Sequence, residues 1–320
     1  MLFIYIAVFI ISFVILILSS GWLINSLVKL AKFLGWKEFV VAFFTMALAG
    51  AVPNFSVGLS SIIHQIPQLS FSEIVGGNIT DLTVAIALAA LISKKGLTLA
   101  SRTVQGSAIF TLVAAILPLL LIADGLLSRT DGLILILAFV IYIYWLFRKE
   151  DRFSKPYNRI KKPLTFKTAF QNIGILLGSI ILLLLAAEGI VKSATFFSVC
   201  LNCPLILIGT LIVGLGNAMP EILFSIQAAR RENDWLVVGN VMGSIIIPVT
   251  LVLGFVSFLA PIKIADFSPF AIGRFFLIVA AICFLIFLRT GQKITRREGF
   301  YLLIIYLLFV LTEIVVGFLG

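Results

Sequence analysis

Apolar stretches of about 17–26 residues, each near the length that spans hydrocarbon, recur along this chain and restrict its fold more sharply than any other property. They lie at 2–26, 39–63, 72–93, 103–123, 131–147, 168–191, 204–229, 235–260, 270–288 and 299–319. A backbone in lipid must satisfy its own hydrogen bonds, so stretches of this kind form helices. The composition agrees: 61% of the residues are hydrophobic and only 12% charged, against about 25% charged in a soluble domain. The expected fold is therefore an all-α polytopic membrane protein with ten transmembrane helices.

The one long polar connection, RKEDRFSKPYNRIKKPLTFK at 148–167, divides the spans five to five and carries eight Lys and Arg. It separates a first membrane repeat at 1–147 from a second at 168–320. With the N-terminus outside, every basic residue except Arg129, Lys192, Lys263 and Arg274 falls in an inside loop or in this linker. That bias fixes the orientation and puts both termini outside a plasma (inner) membrane. Five spans per half also means that the halves enter the membrane in opposite directions, as two inverted five-helix repeats. Such repeats build a binding site near the midplane where interrupted helices meet.

The repeat is visible in the residues. Residues 42–62 read AFFTMALAGAVPNFSVGLSSI, and residues 209–229, at an offset of 167, read GTLIVGLGNAMPEILFSIQAA. Pro53 falls on Pro220, Asn54 on Glu221, and Gly76-Gly77 on Gly243-Ser244. A proline within a helix removes one hydrogen bond and displaces the carbonyl four residues back. Pro53 would free the carbonyl of Ala49, and Pro220 that of Gly216. Freed carbonyls at mid-depth are hard oxygen ligands suited to Na⁺ or Ca²⁺. A packing kink lined by small residues is the plainer alternative, less suited to two prolines at matching positions.

Two acids lie deep in spans. Glu221 follows Pro220, with Asn217 one turn earlier on the same face. Asp81 ends the run GlyGlyAsnIleThrAsp at 76–81 and shares a face with Gly77. A carboxylate at such depth is by default functional and partnered. Asn54 is the counterpart of Glu221, with Gly50 and Ala47 behind it. Glu73, Glu188 and Glu313 lie near the predicted span ends, where water reaches them, and are read as structural or headgroup-facing. His64, at the outer end of the second span, is read in the same way.

Other function classes find little support. The run from Leu2 to Leu18 lacks a basic n-region and a small-residue cleavage site, so it reads as a retained helix rather than a cleaved signal. The formal charge of +10 sits in loops between spans, a pattern of membrane orientation rather than of nucleic-acid binding. Cys200 and Cys203 form an isolated CxxC without further ligands. No nucleotide motif, nucleophile triad or metal-ligand cluster appears, which argues against an enzyme and against a resident cofactor.

At these residues the chain resembles the sodium/calcium exchanger family within the cation/Ca²⁺ antiporter superfamily. That family has ten helices in two inverted repeats, each with a G-T-S-x-P-E motif followed by a G-S-N-x-x-[ND] motif. The first half here reads GlyAlaValProAsn at 50–54 and GlyGlyAsnIleThrAsp at 76–81. The second reads AsnAlaMetProGlu at 217–221 and GlyAsnValMetGlySerIleIleIlePro at 239–248. The resemblance implies a cation site in which Glu221, Ser244 and Asp81 keep family-type ligands. It also implies alternating access by sliding of the first and sixth spans. The chain departs from the pattern where the first motif acid is Asn54, the Thr-Ser pairs are Gly50-Ala51 and Asn217-Ala218, one serine is Gly77 and the last polar ligand is Pro248.

The resulting expectation is a secondary-active cation antiporter in the lipid bilayer, exchanging Ca²⁺ or Na⁺, with K⁺ or H⁺ as further candidates. Glu221 and Asp81 would bind the cation, with Asn54, Asn217, Asn78 and Ser244 as supporting oxygens. Loss of the first motif acid leaves open a proton- or monovalent-cation-coupled exchanger. The same departures leave open a non-transporting membrane relative acting as a scaffold.

Overall fold

The computed structural model describes residues 1–33, 38–93, 95–98, 102–148, 166–264, 267–290 and 293–319. The linker expected at 148–167 lies, but for its ends, outside them. Of Ala47 and Gly50, named behind Asn54, only the helical backbone is described.

The chain is almost entirely helical. In chain order, α1 is Leu2–Phe33 and α2 is Glu38–Ile63. Helix α3 runs through Gln68–Thr80, a π turn at Asp81–Ala85, and Ile86–Ile92. Then come α4 at Arg102–Leu121, α5 at Arg129–Arg148 and α6 at Phe166–Cys200. Helix α7 passes through Leu205–Ile208, a π turn at Gly209–Val213, and Gly214–Arg230. Helix α8 does the same through Asp234–Ile247, Pro248–Val252 and Leu253–Leu259. The last two are α9 at Phe267–Arg289 and α10 at Arg296–Leu319. Among the described residues, 7 of these helices are long and apolar enough to cross a membrane: α1, α3 and α6 to α10. Shorter apolar helices lie at Ala51–Ile63 and Ala108–Asp124.

Helix α6 runs nine residues beyond the span expected at 168–191. Lys192 does not end it, because its ammonium reaches Glu188 one turn back (3.0 Å) while Ala194 and Phe197 are buried beyond it. A long basic side chain can keep its head in a polar setting without interrupting an apolar helix.

The irregularities fall elsewhere than expected. Helices α2 and α7 run without a break through Pro53 and Pro220. Among the described residues three π turns occur: two begin at Asp81 and Pro248, positions separated by the same 167 residues as the sequence offset, and the third, Gly209–Val213, lies in α7 ahead of Pro220. Proline cannot donate the next helical hydrogen bond, so the loosened turn in α8 has a covalent cause. In α3 the same turn begins at a carboxylate. Such π turns recur at functional sites because they rotate the following side chains out of register.

Two short antiparallel strand pairs clasp the helix ends. Leu97–Thr98 (β1) pairs with Lys293–Ile294 (β4), and Leu126–Leu127 (β2) pairs with Ile262–Lys263 (β3). Arg296 reinforces the first clasp by donating from Nε and Nη2 to the Ser93 carbonyl at the end of α3 (3.2 and 3.0 Å).

Burial separates the helices into a centre and a periphery. The spans of α3 and α8 are each 78% buried, whereas those of α1, α6 and α10 are 22%, 28% and 22% buried. The outer faces of α1 and α6 expose Phe3, Ile10, Ile181 and Leu185, the surface expected of helices facing lipid. On their inner side α1 and α6 share an apolar cluster containing Phe13, Leu16, Leu183, Ala187 and Ile190. A second and larger cluster joins α2, α3, α4, α5, α7, α8, α9 and α10.

Glycines set how closely the central helices approach. A Cβ on Gly76 in α3 would overlap the Thr210 carbonyl of α7, and one on Gly214 in α7 would lie 2.7 Å from the Gly77 nitrogen. Helices α3 and α7 therefore cross backbone against backbone, as small residues permit in membrane interiors.

Candidate functional site

That close crossing brings the polar residues of α2, α3, α7 and α8 around one small, partly open cavity. Its walls are Asn54 from α2, Gly77, Asn78 and Asp81 from α3, Asn217, Ala218 and Glu221 from α7, and Ser244 and Pro248 from α8, with Ile74 beside them. All six side chains expected from the sequence to support a cation, namely Glu221, Asp81, Asn54, Asn217, Ser244 and Asn78, line this one space. Residues far apart in the chain converge because α3 and α8 are the most enclosed helices and α7 lies against α3.

Hydrogen bonds fix several of these groups across the two halves. Ser244 Oγ donates to Asp81 Oδ2 (2.5 Å) and also to the Val241 carbonyl (3.0 Å). Asn217 Nδ2 donates to Asn54 Oδ1 (2.9 Å) and to Glu73 Oε2 (3.1 Å). The Asn217 amide is thereby oriented, since turning it over would set its oxygen against two acceptors.

What remains unpartnered is mostly acidic or carbonyl oxygen. Asp81 Oδ1, Asn217 Oδ1 and Glu221 Oε2 are buried and have no hydrogen-bond partner among the described residues. Asn78 presents its amide nitrogen, also without a partner. Half a turn of that amide would offer its oxygen instead. Buried polar atoms in proteins are normally satisfied, so several orphaned oxygens around one cavity ask for a positively charged or hydrogen-bond-donating ligand. Asp81 and Glu221 are close enough to interact electrostatically, and a cation between them would relieve that repulsion. Oxygen-rich, uncoordinated geometry of this kind suits a hard cation such as Na⁺ or Ca²⁺. Among the described residues no three His, Cys, Asp or Glu side chains form a metal-holding group. Any cation here would thus take amide and hydroxyl oxygens along with carboxylates.

The remaining acids divide. Glu188 meets the expectation of a group near the water: its side chain is 33% exposed, and it binds Ser60 Oγ (2.9 Å), His64 Nε2 (2.8 Å) and Lys192 Nζ (3.0 Å). Glu73 and Glu313 do not. Both are 0% exposed, because α3 and α10 are covered there by neighbouring helices. Glu73 is the polar residue that the linear reading missed, and its contact with Asn217 attaches it to the site. Its signal was faint: it lies only five residues inside α3, where nearness to a helix end suggested water.

The same elements are found in known proteins. The fold superposes on the sodium-calcium exchanger NCX_Mj, soaked with Na⁺ and Sr²⁺, with a TM-score of 0.62, 23% identity, and coverage of 96% of this chain and 98% of that one. It superposes on the H⁺/Ca²⁺ exchanger CAX with a TM-score of 0.73 at 16% identity, over 97% of this chain and 86% of that one. In sequence it is 24% identical over 334 aligned positions to the sodium/calcium exchanger MaX1 of Methanosarcina acetivorans, covering 92% of this chain and 94% of the relative. The family model for sodium/calcium exchanger protein matches residues 4–148 and again residues 171–315. With nearly all of its length accounted for in two successive matches, this chain belongs to the sodium/calcium exchanger protein family.

Proposed function

We propose that the protein is a secondary-active cation antiporter working by alternating access around the cavity between α2, α3, α7 and α8. The observation that carries this reading is the convergence of Asp81, Asn217 and Glu221 on one small cavity, each with a buried oxygen that no group among the described residues satisfies. In that site Glu221 and Asp81 carry the charge that binds the cation, while Asn54, Asn217, Asn78 and Ser244 supply or position further oxygens. The chemistry is binding and release, with no bond made or broken. The cation is cargo, Ca²⁺ or Na⁺ in the first instance.

The working architecture is ten transmembrane helices in two inverted repeats, 1–147 and 168–320, joined by the basic linker 148–167, in an inner membrane with both termini outside. The strand clasps support the inversion. Strands β1 and β2 flank α4, whose 20 residues span about 30 Å at 1.5 Å per residue, so they occupy opposite faces. Strand β3 pairs with β2 and thus lies opposite β1. Yet β1 follows the third helix of the first half and β3 the third helix of the second. Equivalent points of the two halves therefore face opposite sides. Offset by 167, β2 falls on β4 and the π turn at Asp81 on the one at Pro248.

The two apolar clusters support alternating access. Helices α1 and α6 form a lipid-exposed pair that touches the rest through their own cluster, and sliding of that pair would open the cavity to one side and then the other. Proton or monovalent-cation coupling is a second reading, favoured by Gly77, Ala218 and Pro248 in the cavity wall, where hydroxyl or amide oxygens would serve Ca²⁺.

The experiment is ion flux in vesicles loaded with Ca²⁺ or Na⁺, wild type against Glu221→Gln, with external Na⁺, K⁺ or a pH step as the driving gradient. Exchange that depends on Glu221 supports the reading and names the counter-ion. Equal flux in both proteins would reject it.

A further inference from the structure

The offset that sets Asn54 on Glu221 also sets Glu73 on Asn240. The first half thus has Asn at 54 and Glu at 73, and the second half has Glu at 221 and Asn at 240. The two residue types have changed places between equivalent positions. At these two pairs of equivalent positions each half keeps one acid and one amide. Simple erosion of the acid at 54 would give no reason for a new acid nineteen residues later, buried inside the protein.

The contacts of Glu73 tie it to the cavity. It is 0% exposed, one turn before the cavity-lining Gly77. Its Oε2 accepts from Asn217 Nδ2 (3.1 Å), and the same nitrogen donates to Asn54 Oδ1 (2.9 Å). Both amide hydrogens of Asn217 are thereby engaged, leaving its Oδ1, buried and unpartnered, as the atom it can offer a ligand. Glu73 Oε1 is also without a hydrogen-bond partner, and among the described residues Glu73 has no ion pair. A buried carboxyl with so little compensation stays ionised only where a positive charge is nearby.

We propose that Glu73 has taken over the charge that position 54 lacks. From one side chain behind the cavity wall it holds Asn217 with its amide oxygen toward the cation, and its own charge offsets that of the cation. Glu73 is a positioning residue, not a direct ligand: it is absent from the cavity lining. This inference rests on the cation-antiporter reading of the same site. It implies three acids, Asp81, Glu221 and Glu73, serving one hard cation bound through amide, hydroxyl and carboxylate oxygens.

The test is calorimetric titration of the purified full-length protein with Ca²⁺ and, separately, Na⁺. Wild type is compared with Glu73→Gln, Glu73→Asn, the exchanged pair Asn54→Glu/Glu73→Asn, and Glu221→Gln, each first checked for folding by thermal melting. Glu73→Gln keeps an oxygen to accept from Asn217 and removes only the charge. It should weaken whichever cation binds by roughly tenfold to a hundredfold. Glu73→Asn should do the same, and restoring an acid at 54 should recover most of the loss. Recovery separates charge from mere packing, since adding a carboxylate elsewhere would not mend a packing defect. If Glu73→Asn does not fold, Glu73→Gln and the exchanged pair carry the comparison. Unaltered affinity in Glu73→Gln, with binding lost in Glu221→Gln, overturns the inference and leaves the antiporter reading standing. Weakened binding that the exchanged pair fails to recover also overturns it. A wild type that binds neither cation removes the antiporter reading, and this inference with it.

Discussion

Ser244 on α8 donates its hydroxyl to the carboxylate of Asp81 on α3 at 2.5 Å, joining the two most buried helices across the halves of the chain. The pair equivalent by the repeat offset is Gly77 and Pro248, which have no side chains able to make such a bond. The site is therefore asymmetric about the 167-residue offset. Asp81 has one oxygen committed to Ser244 and the other left for a ligand.

Ser244→Ala removes the donor that orients Asp81. Hydrogen bonds to charged groups contribute about 1.5–3 kcal/mol, so cation affinity should fall about tenfold or more. Calorimetry reads this directly, and an unaltered dissociation constant would show that the bond does not orient a ligand.

Gly76→Ala forces a methyl group onto the Thr210 carbonyl where α3 and α7 cross. Both partners at this contact are backbone, so neither can rotate away. Overpacking of this kind costs about 1–3 kcal/mol, and the detergent-solubilised protein should melt at a lower temperature. Gly125→Ala gives the contrasting case: no atom lies within 4 Å of its Cβ, but its φ of 84° strains any L-residue. Its loss should be smaller and confined to the β2 turn.

Arg296→Ala withdraws two donors from the Ser93 carbonyl and loosens the β1–β4 clasp. A charge-assisted bond to a part-buried carbonyl is worth about 1.5–3 kcal/mol. Faster amide exchange at the C-terminal end of α3 is the expected signature, with the cavity residues unaffected.

Glu188 joins α6 to α2 by accepting from Ser60, His64 and Lys192. Exposed ion pairs of this type contribute about 0–1 kcal/mol, so Glu188→Gln should hardly change the melting temperature. If α6 slides against α2 during transport, the same substitution should alter the rate of exchange and leave cation affinity in place. A change in affinity alone would contradict that division.

The orientation has its own test. In a background lacking Cys200, Cys203 and Cys283, single cysteines at Thr98 and Lys293 should react with an impermeant thiol reagent from one side of the membrane, and a cysteine at Lys263 from the other. The positive-inside bias puts the first pair inside. Labelling of all three from a single side would dismantle the inverted-repeat reading.

The prolines show how far the linear reading reached. Pro53 and Pro220 marked the 167-residue offset and drew attention to Asn54 and Glu221, yet both helices continue through them without a break. The structure puts the helical irregularities at Asp81, Gly209 and Pro248 instead. A proline identifies a missing hydrogen bond, but neighbouring helices decide whether that turn opens or stays closed.

Span lengths, loop charges and the 167-residue offset were properties of the sequence, because helix length and polarity are set by the bilayer and need no knowledge of neighbours. Depth along each helix followed, and with it the six polar residues that meet at the cavity. Rotation and enclosure did not follow. Glu73 and Glu313 lie near helix ends and looked accessible to water, yet both are fully buried because other helices cover those ends. The bond from Asn217 to Glu73 exists only because Gly76 and Gly214 let α3 and α7 touch. A chain states how far each residue is from a membrane surface; only tertiary packing states how far it is from water.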